Sequence, residues 1–403
     1  MDFDNWTLED YRKWLDMCTH CGACYARGPI VPHNWRELPP PIWSSPLHKC
    51  PSYEYYKFRS HTACGRLLLA AATFMTNSEI SDDLINIAYT CTSCGVCNEI
   101  CIVHRPLNVV LALREEINER GLFLPAPLQR IFQNLENNYN IFGLKQRTKP
   151  IIGLPQEGEN FYFTGCYTSY LLPEIAEITI QILKTAGYEI AYLGNAERCC
   201  GEMAKQSGNR ALFKKIASYN VELMKKAGAK RIITSCAHCY KTWKKDYPSV
   251  LGTSPFEIFH ISELINDFLK KGKIKLWHNI NKKVTFHDPC FMRGYNNEIF
   301  RKILQSIPGL KIVEMERYGR WSYCCGAGGK ISLNCYPDFA YAIGIERIKE
   351  AKDVADNVVT ACPVCFNQFR YIAQAEDIDI QIYDLTLLVA KSMGIKIAAG
   401  IAI

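Results

Sequence analysis

The chain has 403 residues, 48% of them hydrophobic, which is enough to bury a core in each of two or three domains. Its 47 basic and 40 acidic residues give a net charge of +7 without any marked basic run, so nucleic acid is not expected as a partner. Cysteine is the unusual component, because its 20 residues indicate either disulfides or metal sites.

The lack of a recognisable secretion signal favours metal sites over disulfides as the role of the cysteines. The N-terminal sequence MDFDNWTLEDYRKW lacks the charged and then apolar pattern of a signal peptide, so an oxidising compartment is not supported. No stretch of about 18 uninterrupted apolar residues is present. The apolar C-terminal sequence contains Lys391 and Lys396 and is predicted as a packed helix or a partner-docking segment. We therefore expect a cytoplasmic chain that reaches the inner face of a membrane only through a partner.

Residues 1–120 are predicted as a helical domain built around cysteine clusters. The sequences HTACGRLLLAAATFMT and LNVVLALREEINERG have helical spacing of their apolar residues. Between them, Cys91, Cys94, Cys97 and Cys101 form the pattern C-x2-C-x2-C-x3-C. This is the spacing of bacterial ferredoxins, in which three thiolates hold one cubane cluster and the fourth ligates another.

An earlier cysteine group begins the same pattern. Cys18, Cys21 and Cys24 have the right spacing, but residues 25–49 intervene with six prolines and are predicted as an extended insertion. Cys50, which precedes a proline, is predicted as the fourth ligand, and Cys64 is the alternative. The two-cluster ferredoxin arrangement then assigns Cys18, Cys21, Cys24 and Cys101 to one cubane cluster, and Cys91, Cys94, Cys97 and Cys50 to the other.

An internal repeat follows a predicted linker at residues 121–158. RIITSCAHC matches NVVTACPVC, and IFHISEL matches IYDLTLL. The offset is 124 residues from Cys166 to Cys290, 125 from Cys200 to Cys325 and 126 from Cys239 to Cys365. In each copy, residues 159–272 and 273–403, short β-branched runs, such as EIAYLG and RIITSC in the first copy, alternate with amphipathic stretches and are expected as strands. The predicted class is therefore α/β with mostly parallel sheets behind a helical N-terminal domain, and the cysteines follow strands, where such sheets bind ligands.

Each copy of the repeat contains five cysteines. The first set is Cys166, Cys199, Cys200, Cys236 and Cys239, and the second is Cys290, Cys324, Cys325, Cys362 and Cys365. Five thiolates exceed the needs of a cubane cluster or a zinc ion. The adjacent pair in each set could bridge, or bind neighbouring irons, in an enlarged and open cluster.

This spacing resembles a known family. The patterns C-x32-CC-x35-C-x2-C and C-x33-CC-x36-C-x2-C, with glycine after the pair, resemble the cysteine-rich CCG domain of the catalytic subunit of heterodisulfide reductase. A two-cluster domain before two CCG domains resembles the fused form that works with a membrane cytochrome b. The resemblance implies that each five-cysteine set holds a noncubane [4Fe-4S] cluster and that a disulfide is cleaved between the two. Iron–sulfur subunits of glycolate oxidase and anaerobic glycerol-3-phosphate dehydrogenase share this architecture, so the substrate stays open.

Two functions are therefore expected. In the first, electrons from a flavoprotein, cytochrome b or ferredoxin-type partner pass through two cubane clusters to two noncubane clusters, where a small disulfide is reduced to thiols. In the alternative, the chain is an electron-transfer subunit without its own substrate. It would then link a flavoprotein dehydrogenase or an acyl-CoA-type reductase to a quinone or ferredoxin pool, with the proline-rich insertion as a docking element.

Four residues that are not cysteines also stand out. His287 and His238 lie close to predicted ligands and are candidate catalytic proton donors, or else hydrogen-bond donors to cluster sulfur or backbone. His260 and Asp384 occupy equivalent positions in the two copies. We predict that both cap helices.

Overall fold

The computed structural model describes residues 6–15, 17–19, 21–25, 49–75, 78–101, 103–122, 124–149, 151–295 and 297–396. The chain forms two compact units. Unit 1 comprises residues 1–130, 203–211 and 316–347, and unit 2 comprises residues 131–202, 212–315 and 348–403. The domain boundaries given above remain predictions.

Helices predominate in the described part of the chain. The α-helices are α1 (Leu8–Leu15), α2 (Pro51–Tyr56), α3 (Ala63–Met75), α4 (Asp82–Tyr89), α5 (Val96–Ile100), α6 (Pro106–Glu119), α7 (Ala126–Asn137), α8 (Gly165–Tyr170), α9 (Pro173–Thr185), α10 (Glu202–Gln206), α11 (Arg210–Lys226), α12 (Ala237–Lys241), α13 (Tyr247–Leu251), α14 (Ile261–Lys270), α15 (Glu298–Gln305), α16 (Ile331–Cys335), α17 (Pro337–Lys352), α18 (Pro363–Ala375) and α19 (Leu385–Met393). The strands are β1 (Asn160–Tyr162), β2 (Arg231–Thr234), β3 (Glu257–His260), β4 (Lys283–His287), β5 (Lys311–Ile312), β6 (Asn357–Thr360) and β7 (Gln381–Asp384).

Unit 1 contains the helical N-terminal region. The two helices predicted from apolar spacing are confirmed as α3 and α6, which pack against each other and against α1. Proline occupies the first turn of α2 and α6, where its missing N–H costs no hydrogen bond. Most of the proline-rich insertion, residues 26–48, lies outside the described residues.

Unit 2 contains both sheets. The first has the order β1-β2-β3 and the second β5-β4-β6-β7, and every pairing between these strands is parallel. The predicted fold class is thus confirmed. The run EIAYLG is an exception among the expected strands, because only Ala191 pairs, in a single bridge to Phe161. The predicted linker 121–158 contains helix α7.

The central strands form the cores of the two sheets. Ile232 and Ile233 of β2, and Val358 and Val359 of β6, are at most 1% exposed. Such continuous apolar runs suit parallel strands, because helices cover both faces of the sheet. The carboxyl ends of these strands therefore lead directly into the cysteine loops.

The two copies of the repeat pack reciprocally within unit 2. Helix α9 of the first copy contacts α19 of the second, and α14 of the first contacts α15 of the second. Since α9 corresponds to α15, and α14 to α19, each contact has its mirror in the other copy. The same holds near the cysteines, where α12 packs on the turn Cys290–Met292 and α18 packs on α8.

The C-terminal helix α19 is packed rather than spanning. Leu387, Leu388 and Val389 are fully buried. No helix in the described ranges is long and apolar enough to cross a membrane.

His260 and Asp384 begin equivalent helices, as predicted. The Nδ1 atom of His260 accepts a hydrogen bond from the Ser262 N–H at 3.3 Å, and Glu263 accepts one from the His260 N–H at 2.8 Å. Asp384 accepts one from the Thr386 N–H at 2.9 Å. Two residue types thus perform the same capping role in the two copies.

The His260 cap predicts a pH-dependent stability. Burial lowers the pKa of His260 from 6.5 to about 4, so the folded chain resists a proton that the unfolded chain accepts. Its contribution is complete above pH 6.5 and is lost as the pH falls towards 4. We expect His260→Asn, which keeps a capping acceptor, to reduce the stability lost between pH 7 and pH 5 by about 2 kcal/mol. Chemical unfolding at both pH values measures the difference.

The equivalent cap at Asp384 predicts a pH dependence of stability in the opposite direction. Burial raises the pKa of Asp384 from 3.8 to about 6, so its contribution is complete below pH 3.8 and is lost as the pH rises through 6. The free energy of unfolding of the native chain should therefore fall by about 1 kcal/mol between pH 5 and pH 7 because of Asp384, and Asp384→Asn should remove this decrease. If both variants shift the pH dependence in the same direction, the assignment of these shifts to the caps is wrong.

Candidate metal centres

The first five-cysteine set lies entirely in unit 2. Its sulfurs come from three loops, namely the start of α8 after β1, the adjacent pair before α10, and the start of α12 after β2. Cys166, Cys199, Cys200, Cys236 and Cys239 are each 8% exposed or less. Parallel strands end at one edge of the sheet, which is why residues far apart in sequence reach one place.

These five sulfurs form a continuous group. The Sγ atoms of Cys200 and Cys239 are 3.6 Å apart. Cys199 interacts through its sulfur with Cys166 and Cys200, and Cys239 interacts with Cys236. The structure therefore brings together all five cysteines that the sequence groups.

A buried carboxylate positions two of the three loops. Glu197 accepts hydrogen bonds from the N–H groups of Thr164 and Gly165 at 3.1 and 3.0 Å and from the Thr164 hydroxyl at 2.8 Å. Arg147 pairs with the same carboxylate at 3.5 Å. Because Glu197 precedes the adjacent cysteines and Gly165 precedes Cys166, these bonds tie the two ligand loops together.

Gly165 gives these loops the room to approach. Its φ is +72°, and a Cβ at this position would lie 2.7 Å from the Cys239 Sγ. Only glycine has neither the steric cost of this backbone conformation nor the atom that would collide with the sulfur.

The second five-cysteine set is divided between the two units. Cys290 lies on the turn after β4, and Cys362 and Cys365 lie at the start of α18, all in unit 2. Cys324 and Cys325 belong to unit 1 and are buried there. Although burial alone would raise it, hydrogen bonds from Cys236, Cys365 and the first N–H groups of α18 hold the pKa of Cys362 well below its usual range.

The two sets meet within unit 2. The side chains of Cys236 and Cys362 lie close enough to affect each other's pKa, and these residues hold equivalent positions in the two copies. One cysteine of the first set therefore interacts with one cysteine of the second.

Both candidate histidines lie beside these sulfurs. The Nδ1 atom of His238 is 3.2 Å from a carboxylate oxygen of Glu202, and its ring stacks on Phe291 at 3.9 Å between centroids. A ring nitrogen of His287 lies within 4.8 Å of the Cys365 Sγ. Glu202 was missed by the sequence reasoning, although it directly follows the first cysteine pair and its glycine.

The N-terminal cysteines form further groups in unit 1. One cavity is lined by Cys24, Cys50, Cys91, Cys94 and Cys97. Cys64 does not line it, but belongs to a buried cluster with Cys24 and Ala63, against which Cys18 and Cys97 pack. Cys50 thus lies beside the second ferredoxin motif, and its role as the fourth ligand remains a prediction. Cys21 is exposed, and Cys101 accepts a hydrogen bond from the His104 N–H at 3.2 Å.

The chemistry of these donors suits iron–sulfur clusters. Burial and the neighbouring sulfur of Cys94 raise the pKa of Cys97 well above its usual value. The pKa of Cys239 is also raised well above its usual value, mainly by the sulfur of Cys200 and then by Cys236 and burial. So many close thiols cannot all ionise without a cation among them, and iron supplies that charge while preferring thiolate ligands.

Models of two protein families match the chain. The cysteine-rich CCG domain matches residues 161–244 and 284–370, and the 4Fe-4S dicluster domain matches residues 14–104. Together they cover the cysteine groups described above and support bound iron–sulfur clusters.

Curated proteins with similar sequences are redox proteins. The chain is 32% identical, over 95% of both chains, to a subunit of dihydromethanophenazine:CoB–CoM heterodisulfide reductase of Methanosarcina acetivorans. It is 29% identical to EtfAB:quinone oxidoreductase of Syntrophomonas wolfei, covering 76% of this chain and 46% of that one. It is 31% identical to a subunit of fumarate reductase (CoM/CoB) of Methanothermobacter marburgensis, covering 69% and 55%.

A solved structure shares the fold at low sequence identity. A hypothetical protein from Helicobacter pylori superimposes with a TM-score of 0.56 at 13% identity, over 83% of this chain and 68% of that one. This likeness bears on the fold alone.

The crowded position of Gly165 predicts a specific defect. In Gly165→Ala the new Cβ would meet the Cys239 Sγ at 2.7 Å, so that sulfur must move away from its partners. We expect the purified variant to lack one cluster, which corresponds to about four iron atoms fewer per chain. Iron and protein assays on anaerobically prepared samples measure this.

Gly187→Ala is the matched control. Gly187 also has a positive φ, +66°, but nothing lies within 4 Å of its Cβ position. Both variants therefore bear similar backbone strain, and only the first crowds a sulfur. Equal iron contents in the two variants would contradict the role given to Gly165.

Proposed function

Since the chain belongs to the heterodisulfide reductase family of iron–sulfur oxidoreductase subunits, we propose that it reduces a small disulfide with electrons from a redox partner. The observation that carries the proposal is the interaction of Cys236 with Cys362, which brings one residue of each five-cysteine set together. The reaction adds two electrons and two protons to the disulfide and breaks its S–S bond, which yields two thiols. The name of the first relative suggests a mixed disulfide of two small thiols as substrate.

We assign four clusters to the chain. The cubane pair would be held by Cys18, Cys21, Cys24 and Cys101, and by Cys91, Cys94, Cys97 and Cys50. The noncubane pair would be held by Cys166, Cys199, Cys200, Cys236 and Cys239, and by Cys290, Cys324, Cys325, Cys362 and Cys365. Such clusters supply electrons one at a time, and the cubane pair would lead from the partner to the noncubane pair.

The two histidines would supply protons to the departing thiolates. His238 lies at the meeting point of the two sets, where its ring rests on Phe291, next to Cys290. Glu202 holds the Nδ1 side of this ring, so we assign the proton delivered to the substrate to the Nε2 side. His287, near Cys365, would serve the second thiolate.

Other redox subunits are the expected partners, because the named relatives include subunits of redox complexes. A flavoprotein, a cytochrome b or a ferredoxin-type protein would deliver electrons to the cubane pair. Contact with a membrane would then occur only through that partner.

A second candidate function is electron transfer without a substrate of the chain's own. The likeness to EtfAB:quinone oxidoreductase favours it, because that name describes transfer between a flavoprotein and quinone. In this case the chain would link a flavoprotein dehydrogenase or an acyl-CoA-type reductase to a quinone or ferredoxin pool.

Iron content and activity of the anaerobically purified chain test the first proposal. We expect about 16 iron atoms per chain, including noncubane spectroscopic signals, and reduction of the CoM–CoB mixed disulfide by a viologen donor. About eight iron atoms, all in cubane clusters, would contradict the proposal. A full set of clusters without disulfide reduction, but with electron transfer in a complex, would favour the second function.

His238→Gln tests the proton donor. A general acid contributes about 10² to 10⁴ in rate, so we expect a loss in this range with iron content unchanged. His278→Gln is the control, because His278 is exposed. An unchanged rate in His238→Gln would remove this histidine from the mechanism.

A further inference from the structure

Arg66 is buried beside the cysteines of the second ferredoxin motif. Its side chain is 1% exposed and lines the same cavity as Cys50, Cys91, Cys94 and Cys97, with Cys24 of the first motif also in the lining. Its guanidinium donates hydrogen bonds to the carbonyl oxygen of Ile87 at 2.7 Å, to that of His61, and to the hydroxyl of Thr90 at 3.4 Å. All three acceptors are neutral.

A second arginine approaches the same cysteines. Arg114 is fully buried and donates to the Cys91 carbonyl oxygen at 2.9 Å and to the Ser93 hydroxyl at 3.1 Å. It also donates to the carbonyl oxygens of Ala88 and Gln206, at 2.8 Å in both cases. Like Arg66, it fixes the backbone around the motif through neutral oxygens.

These two cations have no carboxylate within ion-pair distance among the residues that the structure describes. Arg66 and Arg114 also repel each other. Burying a charge without an opposite charge is expensive, and hydrogen bonds to neutral groups offset only part of that cost. The sulfurs of Cys50 and Cys91 are candidates for the negative charge, because they interact electrostatically with Arg66 and Arg114 respectively.

We infer that Arg66 and Arg114 are the counter-ions of the cluster assigned to Cys50, Cys91, Cys94 and Cys97, and that they raise its reduction potential. This inference rests on the proposed ligand assignment. Reduction adds one electron, hence one negative charge, to a group that four thiolates already make anionic. Nearby buried cations stabilise the reduced form more than the oxidised form, because the low local dielectric leaves the attraction unscreened.

The first ferredoxin motif has a different electrostatic setting. Arg59 interacts with Cys64 and Cys18, but its side chain is exposed to solvent. Water and salt screen a charge in that position. Arg66 shares its cavity with Cys24 of the first motif but with four cysteines of the second cluster, so changes to Arg66 should shift the potential of that second cluster more than the potential of the first.

EPR-monitored redox titration of the full chain tests this inference. Cys94→Ser and Cys21→Ser identify which signal belongs to which cubane cluster. We expect Arg66→Gln to shift the potential of the Cys94-dependent signal to more negative values, whereas Arg66→Lys, which keeps the charge, shifts it much less. Arg120→Gln, which changes an exposed arginine of the same unit, should shift neither signal.

A second pair of variants tests the charge of Arg66 while leaving the arginine in place. Thr90 is fully buried and accepts from Arg66, so Thr90→Asp places a carboxylate beside the guanidinium, while Thr90→Asn has the same shape without the charge. We expect a negative shift of the same signal in Thr90→Asp alone.

The outcomes separate the two levels of the proposal. If the signal assigned through Cys94 keeps its potential in both Arg66→Gln and Thr90→Asp, or if Arg66→Lys shifts it as far as Arg66→Gln, the charge inference is wrong and the ligand assignment stands. Loss of this cluster in Arg66→Gln but not in Arg66→Lys also supports the inference, and equal loss in both overturns it. If Cys94→Ser leaves iron content and every signal unchanged, the ligand assignment itself fails.

Discussion

The close approach of buried sulfurs is the constraint on which the rest of the structure depends. Buried thiol groups gain little from mutual contact alone. At Cys239, whose Sγ lies 3.6 Å from that of Cys200, the neighbouring sulfurs and burial raise the pKa well above its usual value. The backbone must therefore hold them there by other means. Parallel strands bring the loops to one edge of the sheet, and Glu197 joins two of these loops through their N–H groups.

The sequence predicts strands and candidate ligands best where the same motif occurs in both copies of the repeat. The strands β2 and β6, and the cysteines that follow them, were predictable because each motif occurs twice at nearly constant offset. EIAYLG was wrongly expected as a strand because its apolar spacing suits an edge position that is paired only at Ala191. The apolar residues of this run, Ile190, Tyr192 and Leu193, are buried as they would be in a strand, but they do not form a continuous ladder of hydrogen bonds with β1.

The positioning residues could not be predicted because their partners are distant in sequence. Glu202 meets a histidine, His238, that lies much further along the chain, and Arg114 reaches the carbonyl oxygen of Gln206, 92 residues away. An isolated acidic or basic residue gives no periodic signal, and a composition of 22% charged residues offers many such candidates. Only the folded chain separates the few that are buried beside sulfur from the many that are solvated.

The contact between Cys236 and Cys362 has an evolutionary consequence. Two equivalent residues interact with each other, and the main helix contacts between the copies occur in mirrored pairs, which is the pattern of contacts across a two-fold axis. That is the geometry of a symmetric homodimer. A single-copy ancestor could thus have built the same paired site by self-association, and gene duplication would have turned an interface between subunits into the interior of one chain. The histidine and aspartate that now cap equivalent helices show how the halves have since diverged.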